Sequence, residues 1–72
     1  MRPLDWTPLE STVLTAMRYE PPATLDLMFR HGAVYRYVGM PPTVAGELRL
    51  ADSKDTYFNR FIKDRFSYHR LV

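Results

Sequence analysis

Residues 24–38 have the sequence TLDLMFRHGAVYRYV, and this stretch decides the fold. Thr24–Phe29 alternates apolar and polar side chains with the period of two that is typical of a half-buried strand. Arg30-His31-Gly32 forms a compact turn in which the glycine supplies a positive φ. Ala33–Val38 is rich in β-branched and aromatic residues and follows as the next strand. The stretch therefore predicts an antiparallel hairpin.

The length of the turn decides where the hairpin tyrosines point. A two-residue turn pairs Phe29 with Val34, and Tyr35 and Tyr37 then face away from the leucines of the preceding strand. A three-residue turn with a glycine bulge pairs Phe29 with Ala33 and brings all the large apolar side chains to one face, because a slip of one residue flips every side chain. We favour the second register, since the helices must cover an apolar face.

The segments around the hairpin complete the predicted fold. Val13–Tyr19 is rich in β-forming residues, and the two prolines of Glu20–Ala23 make that segment a connection. After Gly39-Met40-Pro41-Pro42 ends the last strand, Thr43–Leu50 has helical spacing. Ser53 offers an N-cap oxygen for a second helix over roughly Lys54–Lys63. The predicted class is α+β: a three-stranded antiparallel β-meander followed by two short C-terminal helices packed on one face.

The two ends of the chain are predicted to lie against this unit. Residues 1–10, with prolines at positions 3 and 8, are predicted to be an extended N-terminal arm, and residues 11–72 a single domain. We expect Trp6 to lie on the surface or to pin the arm to the domain. The tail Phe66–Val72 is too apolar to be free, so we expect it to dock.

Composition excludes several classes of function. The chain has 72 residues and no cysteine, which leaves room for one domain and excludes disulfides and zinc–thiolate sites. No apolar run approaches the roughly 20 residues of a membrane span. His31 and His69 have no metal-ligand spacing, and no catalytic triad or phosphate-cradling glycine loop is present. We therefore expect no metal, no cofactor, no catalysis and no membrane, and a cytoplasmic location.

Charge is unevenly distributed along the chain. Residues 1–48 hold four Arg or Lys against five Asp or Glu, whereas residues 49–72 hold six against three. A cationic half favours an acidic partner. The alternative is an ordinary solvated helix face.

Two motifs carry the candidate chemistry. In Tyr35-Arg36-Tyr37 the rings can stack on unpaired bases, and Arg36, which faces the other way, can contact phosphate. On the second helix, a polar stripe with Asn59 and Lys63 can also contact phosphates. The alternatives are that the tyrosines belong to the core and that the stripe is only solvated.

These motifs, in this order, resemble the KTSC domain family. The resemblance spans roughly Ser11–Leu71 and includes the following residues: Tyr35-Arg36-Tyr37, Gly39-Met40-Pro41, Ser53-Lys54, Tyr57-Phe58-Asn59, Ile62 and Tyr68. The family occurs alone in bacteria and at the C-terminus of some lysyl-tRNA synthetases, which implies RNA binding. Asp55 departs from the family pattern, where glycine is frequent, and this puts the start of the second helix in question.

The sequence thus predicts a small non-catalytic binding module for RNA or other single-stranded nucleic acid. The predicted nucleic-acid-binding residues are Tyr35, Arg36, Tyr37, Lys54, Asn59, Arg60 and Lys63. The alternative is a protein–protein adaptor that uses a sheet edge or an exposed apolar patch. In that case Trp6, Met17, Met28 and Met40 would be its contact residues if they are exposed. The oligomeric state stays open.

Overall fold

The computed structural model describes residues 6–72, so predictions about residues 1–5 of the N-terminal arm lie outside the described part. The elements are β1 (Thr7–Pro8), β2 (Leu14–Glu20), β3 (Thr24–Phe29), β4 (Val34–Val38), α1 (Pro42–Leu50), α2 (Lys54–Phe61) and β5 (Tyr68–Arg70). The strands form one antiparallel sheet in the order β1-β2-β3-β4-β5. The predicted α+β class with two helices is confirmed.

The predicted number of strands was wrong, because the sheet has five strands rather than three. Both additional strands are short edge strands. Thr7–Pro8 pairs with Met17 and Ala16 of β2, and proline is acceptable at an edge because its missing N–H is not needed for a further ladder. The docking tail adds Tyr68–Arg70 beside β4. Segments of two and three residues are too short to show a period of two.

The favoured hairpin register is confirmed. Leu25 lies opposite Tyr37 and Leu27 opposite Tyr35. The Phe29 N–H donates to the Ala33 carbonyl over 2.9 Å, and Gly32 takes the positive φ of 102° that the turn requires. Tyr35 and Tyr37 therefore share the face of the sheet that carries the leucines.

The two helices cover this face. Ser53 is the N-cap of α2 and its side-chain oxygen accepts a hydrogen bond from the Thr56 N–H over 3.3 Å, as predicted. The helix ends at Phe61, two residues before the predicted end, because the Lys63 N–H donates to the Phe58 carbonyl and Asp64 adopts a left-handed φ of 63°.

The core lies between the helices and the sheet. Its fully buried side chains come from every layer and are Leu14, Leu25, Leu27, Met40, Leu48 and Ile62. Burial of each such side chain stabilises the fold by about 1.5–3 kcal/mol. The core thereby fixes the position of α2 over β3 and β4.

Asp55 holds the start of α2 against the loop before β2. Its carboxylate accepts hydrogen bonds from the hydroxyls of Ser11 and Thr12, and these bonds lower its pKa. The guanidinium of Arg30 donates to the carbonyls of the same two residues over 2.7 and 3.1 Å. The departure from the family pattern at position 55 therefore does not move the helix start, which is Lys54 as predicted.

The helix-free face of the sheet is centred on a buried carboxylate. Asp26 is only 2% exposed, and the guanidinium groups of Arg18 and Arg36 approach it from the neighbouring strands at 2.7 and 2.9 Å. Burial acts to raise the pKa of Asp26, but the hydrogen bonds from Arg36 and then Arg18 outweigh it, so the pKa is lowered. The guanidinium of Arg18 also lies 4.4 Å from the Trp6 ring centroid, which pins the N-terminal segment to the sheet as expected.

We expect Asp26→Asn to destabilise the fold by about 1.5–3 kcal/mol, the range for hydrogen bonds to charged groups. The loss stays below that of a fully buried ion pair, because the two arginine side chains are 32% and 36% exposed. Urea unfolding of the variant measures it. Asp52→Asn, at an exposed position, is the matched control and should change the unfolding free energy little.

The stability difference between the wild type and Asp26→Asn should depend on pH in the acid range. The pKa of Asp26 is lowered in the folded state. The contribution of its carboxylate to the free energy of unfolding is therefore fully present above the unfolded pKa of about 3.9, and it is lost as pH falls through the lower folded pKa. The stability difference between the wild type and Asp26→Asn should therefore shrink below about pH 4. A difference that stays constant from pH 7 to pH 2 would contradict the ion-pair assignment.

Candidate functional site

A pocket of about 320 Å³ opens between the sheet and the end of α2. The sheet side contributes mainly rings, from Val13, Phe29, His31, Tyr35, Tyr37 and Tyr68. The helix side contributes one ring and a polar rim, from Phe58, Asn59, Lys63 and Asp64. Its volume is at the lower end of the range of small-molecule sites, about 300–1,000 Å³.

Three tyrosines form the wall of the pocket. Tyr37 pairs directly with Tyr68 across β4 and β5, and their ring centroids are 5.4 Å apart at 33°. Tyr68 also stacks against Tyr35, with 5.5 Å between the centroids and an angle of 25°. The edge strand β5 thus extends the aromatic surface that β4 begins.

Two phenylalanines complete the aromatic lining. Phe58 of α2 meets Phe29 edge-on, with centroids 5.6 Å apart at 76°. It meets Tyr37 in the same manner at 6.1 Å and 81°. His31 in the hairpin turn stacks on Phe29 at 5.8 Å and 19°. Edge-to-face and offset contacts of this kind stabilise aromatic clusters beyond area burial, which favours this arrangement of the rings.

The tyrosines differ in what they offer to a ligand. Tyr37 is 3% exposed and belongs to the core cluster, whereas Tyr68 is 52% exposed. Tyr35 is half-buried. Tyr68 therefore presents the accessible ring, and Tyr37 closes the inner end of the pocket.

The Tyr37 hydroxyl stays protonated over a wide pH range. Burial raises the pKa of Tyr37 to about 12, with smaller contributions from Tyr68, Tyr35 and the Asp64 carboxylate. At neutral pH the inner end of the pocket therefore holds a neutral hydroxyl that can donate or accept a hydrogen bond.

Charged and amide groups form the rim. Asn59, Lys63 and Asp64 are all exposed. Asp64 has the left-handed backbone conformation that Asp tolerates better than most residues. The rim thus combines one cation, one anion and one amide around an aromatic wall.

The structure brings together four of the seven predicted binding residues, since Tyr35, Tyr37, Asn59 and Lys63 all line the pocket. Arg36 lies on the opposite face, where its Nε and a terminal nitrogen donate to Asp26 over 2.9 and 3.1 Å.

The two remaining predicted residues lie on α2 outside the pocket lining. The Lys54 ammonium donates to the Ala51 carbonyl over 2.9 Å. Arg60 is exposed, with its guanidinium 5.7 Å from the Phe61 ring centroid. The assignment of the seven residues to nucleic acid remains a prediction.

Sequence analysis missed several residues of the pocket, chiefly Tyr68, His31, Phe29 and Asp64. The docking tail indicated that Tyr68 contacts the domain, but β5 is too short for its register to be predicted. Asp64 gave no signal, because its place depends on where α2 ends. His31 lacks metal-ligand spacing, and its position in the turn did not indicate that it lines a pocket.

Between Trp6 and Val72, no three His, Cys, Asp or Glu side chains are grouped as a metal ion would require. In the same range, neither helix has the length and apolar character needed to cross a bilayer.

The sequence of the chain matches the model of a known protein family. The family model of the KTSC domain matches residues 10–66. A lysine–tRNA ligase of Nostoc sp. is 46% identical over 63 residues, which are 86% of this chain and 11% of the ligase. A lysine–tRNA ligase of Trichormus variabilis is 43% identical over 63 residues, again 86% of this chain and 11% of the ligase. The chain therefore spans only about a tenth of the length of these ligases.

Relatives of similar size also exist. A protein of Stutzerimonas stutzeri is 37% identical over 65 residues, covering 88% of this chain and 92% of that protein. Among solved structures, the crystal structure of a KTSC domain protein from Yersinia pestis superposes with a TM-score of 0.90. It is 26% identical, and the match covers 94% of this chain and 97% of the other.

We expect Tyr37→Phe to flatten the alkaline limb of the stability curve. The pKa of Tyr37 in the folded state is raised to about 12. The contribution of its hydroxyl to the free energy of unfolding is therefore fully present below the unfolded pKa of about 10, and it is lost as pH rises through 12. Thermal unfolding between pH 9 and pH 12 measures the slope. If the variant loses stability over this range as steeply as the wild type, the buried-hydroxyl assignment is wrong.

Proposed function

Since the chain belongs to the KTSC domain family, we propose that it is a non-catalytic module that binds RNA or other single-stranded nucleic acid in the cytoplasm. The aromatic pocket with its polar rim is the site of binding. The basic residues of α2 and of the segment after it contact the phosphates.

The observation that carries this proposal is the tyrosine wall beside an exposed lysine. Unpaired bases stack on aromatic side chains with about 1–3 kcal/mol per base, and they do so on sheet surfaces in several RNA-binding folds. Tyr68 has an accessible ring, and Lys63 lines the same pocket. Stacking and phosphate contact can therefore be made by one nucleotide.

The positive charges at the end of α2 favour a polyanion. Arg60, Lys63 and Arg65 are exposed at the end of α2 and directly after it, within the cationic half of the chain. Arginines of the opposite sheet face are instead engaged by Asp26. Phosphate contacts supply most non-specific affinity for nucleic acid, so the α2 side of the molecule is the better candidate for the strand.

The relatives give this proposal its context. Homologous segments occur in lysine–tRNA ligases of Nostoc sp. and Trichormus variabilis, which are named for a reaction on tRNA. The activity of those ligases belongs to the whole proteins. What this supports for the present chain is an RNA partner.

The second candidate is the protein–protein adaptor, favoured by the edge strand β5. Tyr68, Leu71 and Val72 at this edge are 52%, 39% and 70% exposed, and a free edge can accept a strand of a partner. Of the methionines considered as contacts, Met17 and Met40 are buried in the core, so they do not meet the condition of exposure. An adaptor would bind with weak salt dependence.

We expect Lys63→Gln to weaken binding of a single-stranded RNA and to reduce the salt slope of log K by about 0.7, the value for one phosphate contact on a single strand. Fluorescence anisotropy with a labelled mixed-sequence RNA at several salt concentrations measures both. Arg49→Gln removes one exposed charge from α1 and is the matched control, which should leave affinity and slope close to the wild type.

Two outcomes would count against the proposal. Equal losses in Lys63→Gln and Arg49→Gln would mean that only net charge matters and that the pocket is not the site. No binding of the wild type at low salt would remove nucleic acid as the ligand.

A further inference from the structure

The pocket has room for a nucleobase. Its volume of about 320 Å³ is close to the minimum for a small-molecule site, and its inner end is closed by Tyr37, which is 3% exposed. Neighbouring nucleotides of a strand must then lie outside, along the basic segment. A single base turned out of the strand fits this shape.

The polar groups in the lining differ in what they require from a ligand. The Asp64 carboxylate is acceptor-only and needs N–H donors from the base. The Lys63 ammonium is donor-only and needs acceptors. The Asn59 amide offers both. A matching base must therefore carry a donor edge and a separate acceptor edge.

Guanine has this distribution of groups. Its adjacent N1–H and N2–H groups can donate to the two oxygens of one carboxylate, while O6 and N7 are acceptors for which the Asn59 amide offers a donor. Adenine and cytosine carry an amino group but no adjacent ring N–H. Uracil has a single N–H between two carbonyls. Among the four bases, only guanine can give the carboxylate two parallel hydrogen bonds.

The backbone at Asp64 sets the place of its side chain after α2. Its φ of 63° is in the left-handed region, where glycine would be free of strain. Asp is among the residues that tolerate this conformation, and here it turns the chain after the end of α2. Here the conformation lies directly after Lys63, so that opposite charges stand side by side on the rim.

Resting on the proposed function, we propose that the pocket selects guanine: Asp64 accepts from N1–H and N2–H, the Asn59 amide donates to the O6/N7 edge, Lys63 contacts the phosphate of the same nucleotide, and the base lies against Tyr68. The module thus binds single strands that contain an unpaired guanine in preference to strands that lack one.

The test uses the full 72-residue chain and four labelled oligouridylates that differ at one central position, which is G, A, C or U. The wild type should bind the G-containing strand about tenfold more tightly than the others, the factor expected for one good bidentate contact. Asp64→Asn keeps the size of the side chain and its tolerance of a left-handed φ. It should reduce the preference to less than twofold while retaining the salt slope. Asp52→Asn is the control and should retain the preference.

The possible results distinguish failure of the guanine assignment from failure of nucleic-acid binding. Equal binding of all four strands by the wild type, or a guanine preference that survives Asp64→Asn, would overturn the guanine assignment and leave nucleic-acid binding in place. Absence of binding to every strand at low salt would overturn both. Thermal melting of Asp64→Asn verifies that the variant is folded.

Discussion

The register of the β3–β4 hairpin is the constraint on which the rest of the structure depends. With Phe29 opposite Ala33, Tyr35 and Tyr37 lie on the helix-covered face and Arg36 lies on the other. The same register sets Arg36 opposite Asp26, where it forms the buried ion pair. A slip of one residue would turn the tyrosines away from α2 and bring Arg36 into the core. Core, ion pair and pocket are thus three consequences of one turn.

Much of this fold could be predicted, because its longer elements have strong local patterns. The period of two in β3, the glycine in the turn and the capping serine before α2 each act within a few residues. Prediction failed at β1 and β5, which are short edge strands whose pairing depends on neighbours far away in the sequence. It also failed at the end of α2, where Lys63 remains in helical spacing but Asp64 turns the chain.

The candidate site could be predicted only in part, for a related reason. Local sequence identified aromatic and basic residues, and Tyr35, Tyr37, Asn59 and Lys63 do line one pocket. It could not reveal that Arg36 is engaged by Asp26, since this depends on cross-strand pairing. It also could not reveal that Tyr68, the most accessible ring of the wall, arrives from the tail. A motif that is continuous in sequence was divided between two faces, and the pocket was completed by residues from four other segments.

In the proposed binding mode, a nucleotide base enters the pocket between Tyr68 and α2. The most direct test is an NMR search for intermolecular nuclear Overhauser effects between an unlabelled single-stranded RNA and the isotopically labelled chain. This binding mode predicts contacts from base protons to the ring protons of Tyr68 and Tyr35, with saturable, salt-sensitive amide shifts at Asn59 and Lys63. Contacts confined to the face of Asp26 and Arg36, or no contacts at low salt, would contradict it.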